Sequence, residues 1–343
     1  MSGHGIDIQD INISCILFAD DIVLFGKSED DLRHLMRMTL RFFSSHHLQI
    51  SHTKSKIMFN NSKSGNMSFH DPSKSPSHFN LEQVLSFKYL GVPISSNPYS
   101  MFKSFNDRVV KKAQNYLQSV LSLVKSGPDK TDLAYMLWTQ VALPAILYGA
   151  EIFPLTQHSL GEIEKCQSKV GKFILQIPRS STNVTANLDA GLRPVWSLVA
   201  EKFLLFAHKT ISQPTSYWPK LAMDEQITLG ERSPYTKTLV KYKTLAGAFG
   251  LPPAQIKKAL LQKTIGNVIT ERDKFAVSLS SMNLPSHSSW FQKKPWVTDS
   301  AFSKIFAEFR ACDAGLGNRG PTRDGQYFKL CPLCDKVCKP DVY

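Results

Sequence analysis

The sequence predicts an α+β chain in which residues 1–100 combine short β-hairpins with one helix and the remainder is mainly helical. Two observations carry the first half of that reading. Apolar runs at 11–18 and 22–25 flank the tripeptide Ala19-Asp20-Asp21, and a second apolar-aromatic run at 87–94 breaks at Gly91. Each reads as strand, tight turn, strand. A third observation carries the second half: from Val109 onward, apolar residues recur every three or four positions, which is the helical period.

The elements follow in order. The first hairpin spans 11–25, with Ala19-Asp20-Asp21 as its turn, and Asp7 and Asp10 are expected in the loop before it. Ser28 then precedes Glu29, Asp30 and Asp31, an N-cap with an acidic first turn. Leu32, Leu35, Met36, Thr39 and Phe43 place a helix over roughly 29–46 that packs on the hairpin. Lys56 to Phe59 forms a short strand. Residues 60–80, rich in Ser, Asn, Pro and Lys, are expected as a long surface loop.

Beyond the hairpin that turns near Gly91, Val109, Ala113, Leu117, Val120 and Val124 mark a helix ending at Gly127. Another begins near Asp129 or Thr131 and meets Pro144, which should kink or end it. Helices over roughly 159–176 and 194–211 follow, the latter after the turn Gly191-Leu192-Arg193-Pro194. From 212 the pattern weakens to a basic helical stretch near 254–275 and a Pro, Ser and Trp-rich segment at 284–297. No internal repeat is present.

Composition restricts the class. With 343 residues and 42% hydrophobic content the chain can bury sizeable cores. It has no run of 18 apolar residues, and residues 1–5 lack the basic and apolar regions of a secretion signal, so an intracellular protein is expected. The six cysteines are too few and too unevenly placed for a disulfide framework. The net charge of +13 is unevenly spread: residues 1–50 carry a net −3, while residues 51–180 and 231–300 each carry +7. A polyanion such as nucleic acid is the simplest partner, because Lys and Arg neutralise phosphates and release condensed counterions. A solvated basic surface is the alternative.

Asp20 and Asp21 are the first candidate site. Adjacent carboxylates on an apolar hairpin repel one another and call for a cation or a proton. Mg²⁺ suits such hard oxygen ligands, being held by one or two carboxylates plus substrate phosphates. Taken alone, the pair reads equally as a surface hairpin turn.

Phe18-Ala19-Asp20-Asp21 resembles the aromatic-x-Asp-Asp motif on the palm hairpin of reverse transcriptases, in the wording usual for LINE-type (non-long-terminal-repeat) retrotransposons. Leu48-Gln49-Ile50-Ser51-His52-Thr53-Lys54-Ser55 resembles the next family motif, departing from it at Ser51 and Ser55. Phe87-Lys88-Tyr89-Leu90-Gly91 is similar to the primer-grip hairpin, and Leu147-Tyr148-Gly149-Ala150-Glu151 to a segment of the helical thumb. The four occur in family order. What the resemblance implies is a partial palm over 1–100, a helical thumb over 101–180, a basic helical region over 181–300 and a Cys-containing tail over 301–343.

It further implies RNA-directed DNA polymerisation by two-metal nucleotidyl transfer with Mg²⁺ or Mn²⁺, acting on an RNA template and a DNA primer, and a nuclear location. Asp20 would be the principal metal ligand, with Asp21 holding the second position or the primer end. Phe18 and Ala19 frame that turn, and Phe87, Tyr89 and Gly91 would position the primer backbone. Lys54 would face the nucleotide phosphates or stand as a solvated lysine. The family's fingers and its further palm carboxylate have no counterpart, so the chain is expected to be a fragment that does not polymerise DNA alone. The alternative is a non-enzymatic nucleic-acid-binding module in which the two aspartates are relics.

Cys331, Cys334 and Cys338 form the second candidate site. Cys-x₂-Cys spacing lets two thiolates hold one tetrahedral ion, and the resemblance is to a C-terminal zinc knuckle. Zinc needs four ligands, and neither Cys312 nor His287 has a spacing argument to complete the set. The expected zinc site is therefore incomplete.

Overall fold

A computed structural model describes residues 3–60, 65–70, 78–124, 130–183, 186–187, 190–246, 255–256, 259–260, 329–330 and 337–338. These divide into two compact units: residues 1–105 with 209–236, and residues 106–208 with 237–343. No helix among the described residues is long and apolar enough to cross a membrane.

The first unit opens with two successive hairpins. β1 (Ile6–Ile8) pairs antiparallel with β2 (Ile11–Ile13), and β3 (Cys15–Phe18) with β4 (Asp21–Leu24). The apolar run read as one strand over 11–18 is thus two, broken at Ser14, whose carbonyl accepts from the Phe25 amide at 2.8 Å. Asp7 lies within β1 rather than in a loop, while Asp10 occupies the β1–β2 turn. The second hairpin turn is also tighter than the sequence suggested. Phe18 pairs with Asp21, so only Ala19 and Asp20 form the loop and Asp21 heads β4.

α1 (Glu29–Ser45) begins where the cap predicts. The Asp31 amide donates to Ser28 Oγ at 3.1 Å, and that hydroxyl donates to Asp31 Oδ2 at 2.7 Å. His4 Nδ1 also meets Asp31 Oδ1 at 2.7 Å and ties the chain start to this first turn. The inner face of α1, with Met36 and Leu40, lies on a three-stranded sheet made of β5 (Lys56–Ile57), β6 (Met67–His70) and β7 (His78–Gln83) in the order β5-β7-β6. Its core adds Ile57, Met67, Phe69, Phe79 and Leu81. Arg33 reaches over Phe69 and donates to the Ser68 carbonyl at 2.9 Å, joining helix to sheet.

That sheet corrects the expectation of a loop over 60–80. Alternation places Met67, Phe69, Phe79 and Leu81 inward and Ser68, His70, His78 and Asn80 outward, a pattern hidden by the polar outer residues. β8 (Ser86–Tyr89) and β9 (Val92–Ser95) form the expected hairpin, with Leu90 and Gly91 as its loop. Both loop residues have positive φ, +46° and +80°, as type I′ turns require.

α2 (Pro98–Leu123) starts well before the expected Val109, because Asn97 Oδ1 accepts from the Tyr99 amide at 2.9 Å and opens the helix there. α3 (Lys130–Met136) passes into a π-helical stretch, Leu137–Ala142, and then α4 (Leu143–Ile146). The helical path thus changes to π-helix just before Pro144 and ends two residues after it, at Ile146. The wider turn before Pro144, in which the Leu143 amide donates to the Trp138 carbonyl, takes up the ring that a regular α-turn would exclude.

α5 (Gln157–Ile174) and α6 (Val195–Ile211) fall where periodicity predicts. A polar network joins them inside the second unit. Glu164 Oε2 accepts from the Val195 amide at 2.7 Å, and Oε1 accepts from Asn187 Nδ2 at 2.7 Å. Gln167, fully buried, donates to the Arg193 carbonyl at 2.8 Å and accepts from Trp138 Nε1 at 3.3 Å. Glu164 thus caps the start of α6 from a neighbouring helix.

Among the described residues past 212, α7 (Trp218–Thr228) and α8 (Pro234–Ala246) are helices that the weak pattern concealed. β10 (Lys329–Leu330) and β11 (Val337–Cys338) pair antiparallel. Most of the expected helix at 254–275 and the whole segment at 284–297 lie outside the described residues.

Candidate active site

The tip of the β3–β4 hairpin carries the candidate carboxylates. Leu17 and Phe18, 65% and 59% exposed, leave the apolar run projecting into solvent just before the turn. Ala19 then takes φ +53°, the left-handed conformation that suits a two-residue hairpin loop but is uncommon for a residue with a Cβ. Asp20 follows at the loop's second position and Asp21 opens β4, both exposed. Two hard, negatively charged donors therefore stand next to one another at a solvent-facing tip. This donor set fits a divalent ion such as Mg²⁺ that retains several waters.

Tyr89 closes β8. Its hydroxyl is buried and has no hydrogen-bond partner among the described residues. Burial, and then the charge of Asp21, push the phenol above its ordinary range. The Asp21 charge thus adds to the effect of burial on the Tyr89 phenol. Sequence reading found both residues but had no means of joining them.

The remaining candidates are less concentrated. Phe87 is 41% exposed, so it is not a core aromatic, and Lys88 beside it is exposed too. Gly91 holds the second loop position at φ +80°. Lys54 is exposed in the loop that leads to β5. The Ser55 amide closes that loop on the Ser51 carbonyl at 3.0 Å, and His52 stacks on Phe79 at 3.8 Å with ring planes 5° apart. His52 thus fixes the loop to β7, while no ion pair joins Lys54 to Asp20 or Asp21 among the described residues.

Asp7, although in a strand, does not join the pair. Its carboxylate is engaged by Lys27 Nζ and by Asn12 Nδ2 at 2.6 Å, and the Lys27 hydrogen bond, followed by that from Asn12, holds it below the usual carboxylate range. Among the described residues no group of three His, Cys, Asp or Glu side chains is arranged to hold a metal ion. Cys331 and Cys334 lie outside those residues, and Cys338 closes β11 opposite Lys329.

No curated protein and no solved structure matches the chain significantly. Residues 4–94, which run from the first hairpin through β9's Ile94 and contain Asp20, Asp21, Lys54 and Tyr89, match the family model described as reverse transcriptase (RNA-dependent DNA polymerase).

Proposed function

We infer that this chain is polymerase material of a LINE-type retrotransposon reverse transcriptase, with part of the palm in residues 4–94 and thumb-like helices following. The observation that carries the reading is the two-residue turn that sets Asp20 beside Asp21 at an exposed hairpin tip, within the stretch matching the reverse transcriptase family. Asp20 serves as the principal ligand of Mg²⁺, or of Mn²⁺ in its place. Asp21 shares that ion or faces the primer end. Such an ion, when bound, supplies charge stabilisation to the phosphoryl oxygens of the reacting nucleotide. Phe87, Tyr89 and Gly91 line the path of the primer backbone, and the basic stretches contact phosphates of an RNA template and DNA primer.

Two-metal transfer draws carboxylates from two palm strands, and Asp20 and Asp21 belong to one hairpin. The chain by itself is therefore proposed to bind primer–template without extending it. Primer extension on an RNA template with Mg²⁺ or Mn²⁺ tests this, with Asp20→Ala as the control. The expected result is no extension by the chain alone and Asp20-dependent extension when the upstream part of a related enzyme is supplied in trans. Extension by the chain alone that vanishes in Asp20→Ala would overturn the claim of an incomplete site. A non-enzymatic binding module is the second reading, favoured by two exposed carboxylates that make no ion pair among the described residues. Failure of complementation with nucleic-acid binding intact would select it.

A further inference from the structure

The outer face of the β6–β7 pair holds a feature that the polymerase reading does not use. His70, the last residue of β6, and His78, the first of β7, are direct partners in the antiparallel register. Both are exposed, and their ring centroids lie 4.9 Å apart at an interplanar angle of 67°. Directly opposed side chains on one sheet face start from Cβ atoms only about 4.5–5.5 Å apart, within the span of two ligands on one ion.

The pair is also held in place from behind. The preceding register partners, Phe69 and Phe79, are buried at 5% and 8% exposure with ring centroids 5.7 Å apart, and they pack into the core beneath α1. A one-residue slip would turn these phenylalanines to solvent, so the register that opposes the histidines is enforced by the core. Imidazole nitrogens are intermediate donors that suit Zn²⁺, Cu²⁺ and Ni²⁺, in contrast to the hard oxygens of Asp20 and Asp21.

We propose that His70 and His78 form a two-imidazole chelate for a divalent transition-metal ion on the solvent face of the β6–β7 pair, with water completing the coordination sphere. The ion bridges the two strand ends and reinforces their pairing. The site is chemically separate from the Asp20–Asp21 tip, since excess Mg²⁺ does not compete for imidazole. Affinity across metals follows the order Zn²⁺ below Cu²⁺, with Ni²⁺ also below Cu²⁺.

Calorimetric titration of the full chain with Ni²⁺ in excess Mg²⁺ tests the proposal. Cys331, Cys334 and Cys338 are changed to Ser in every protein so that thiolates do not contribute. The parent, His70→Ala, His78→Ala and the double variant are compared, with far-UV circular dichroism reporting the fold. Gln replaces Ala at either position if a fold is lost. A chelate predicts one tight equivalent in the parent and at least a tenfold loss of affinity in either single variant, with no further loss in the double variant. Ni²⁺ should also raise the thermal midpoint of the parent alone. A parent that titrates like the double variant overturns the proposal. So do single losses that add, which would mean two independent surface histidines.

Discussion

Ala19 is the point at which sequence, conformation and proposed function meet. Its φ of +53° places an L side chain in the left-handed region, at a cost of roughly 1–2 kcal/mol, to close the shortest loop that can set Asp20 next to Asp21. Strain of this kind gathers at functional sites, where a particular geometry is worth its cost. Ala19→Gly is therefore expected to stabilise the fold by about 1 kcal/mol in urea unfolding, because glycine takes positive φ without the Cβ penalty. Tyr89 makes the complementary case. A buried hydroxyl without a partner costs about 1–3 kcal/mol relative to a satisfied one, so Tyr89→Phe should leave stability unchanged or raised. The same substitution should weaken primer–template binding in the presence of Mg²⁺ if the phenol contacts that complex. A clear fall in stability would mean that the hydroxyl has a partner within the fold.

Helices and hairpins show which local signals were sufficient. Ser28, the acidic turn and the spacing from Leu32 to Phe43 placed α1 within a residue, because capping and amphipathic periodicity are local properties. Ser28→Ala should cost about 1 kcal/mol, measured as a lower urea midpoint with an unchanged slope. The π-helical stretch before Pro144 was not legible, since the sequence marks a conflict with the α-turn without saying how neighbouring residues absorb it. α8 illustrates burial acting on a titratable group. Tyr242, 2% exposed and set edge-on to Phe203 at 5.7 Å, is pushed up to about 12 by burial. Both states are protonated below pH ~10, and above it the unfolded phenol ionises first. The stability contribution is thus intact below pH ~10 and declines as pH rises toward 12. Unfolding of the parent at pH ~9 and ~11 should show a larger alkaline loss than unfolding of Tyr242→Phe, by up to about 1.4 kcal/mol per pH unit.

For the whole molecule, the charge distribution supports the most general expectation. Residues 51–180 and 231–300 each carry +7, so affinity for an RNA–DNA duplex should fall steeply as salt rises. Removing residues 231–300 should flatten the dependence of log affinity on log salt, and a flat response in the intact chain would remove the phosphate-contact reading. The limits of sequence reading are also clearest at this scale. Adjacent residues, a turn signal and a helical period were enough to locate the Asp20–Asp21 tip, the Gly91 hairpin and helices α1, α5 and α6, because each depends on interactions a few residues apart. Strand pairing depends on partners distant in the chain, and polar outward residues masked β6 and β7 as a loop. Tertiary structure alone decided that Asp7 sits in a strand with its carboxylate held by Lys27, that the Asp21 charge acts on the Tyr89 phenol, and that His70 opposes His78. The physical reason is common to all three: which side chains meet is settled by the burial of apolar faces such as Phe69 and Phe79, and the polar groups on the opposite faces are brought together as a consequence.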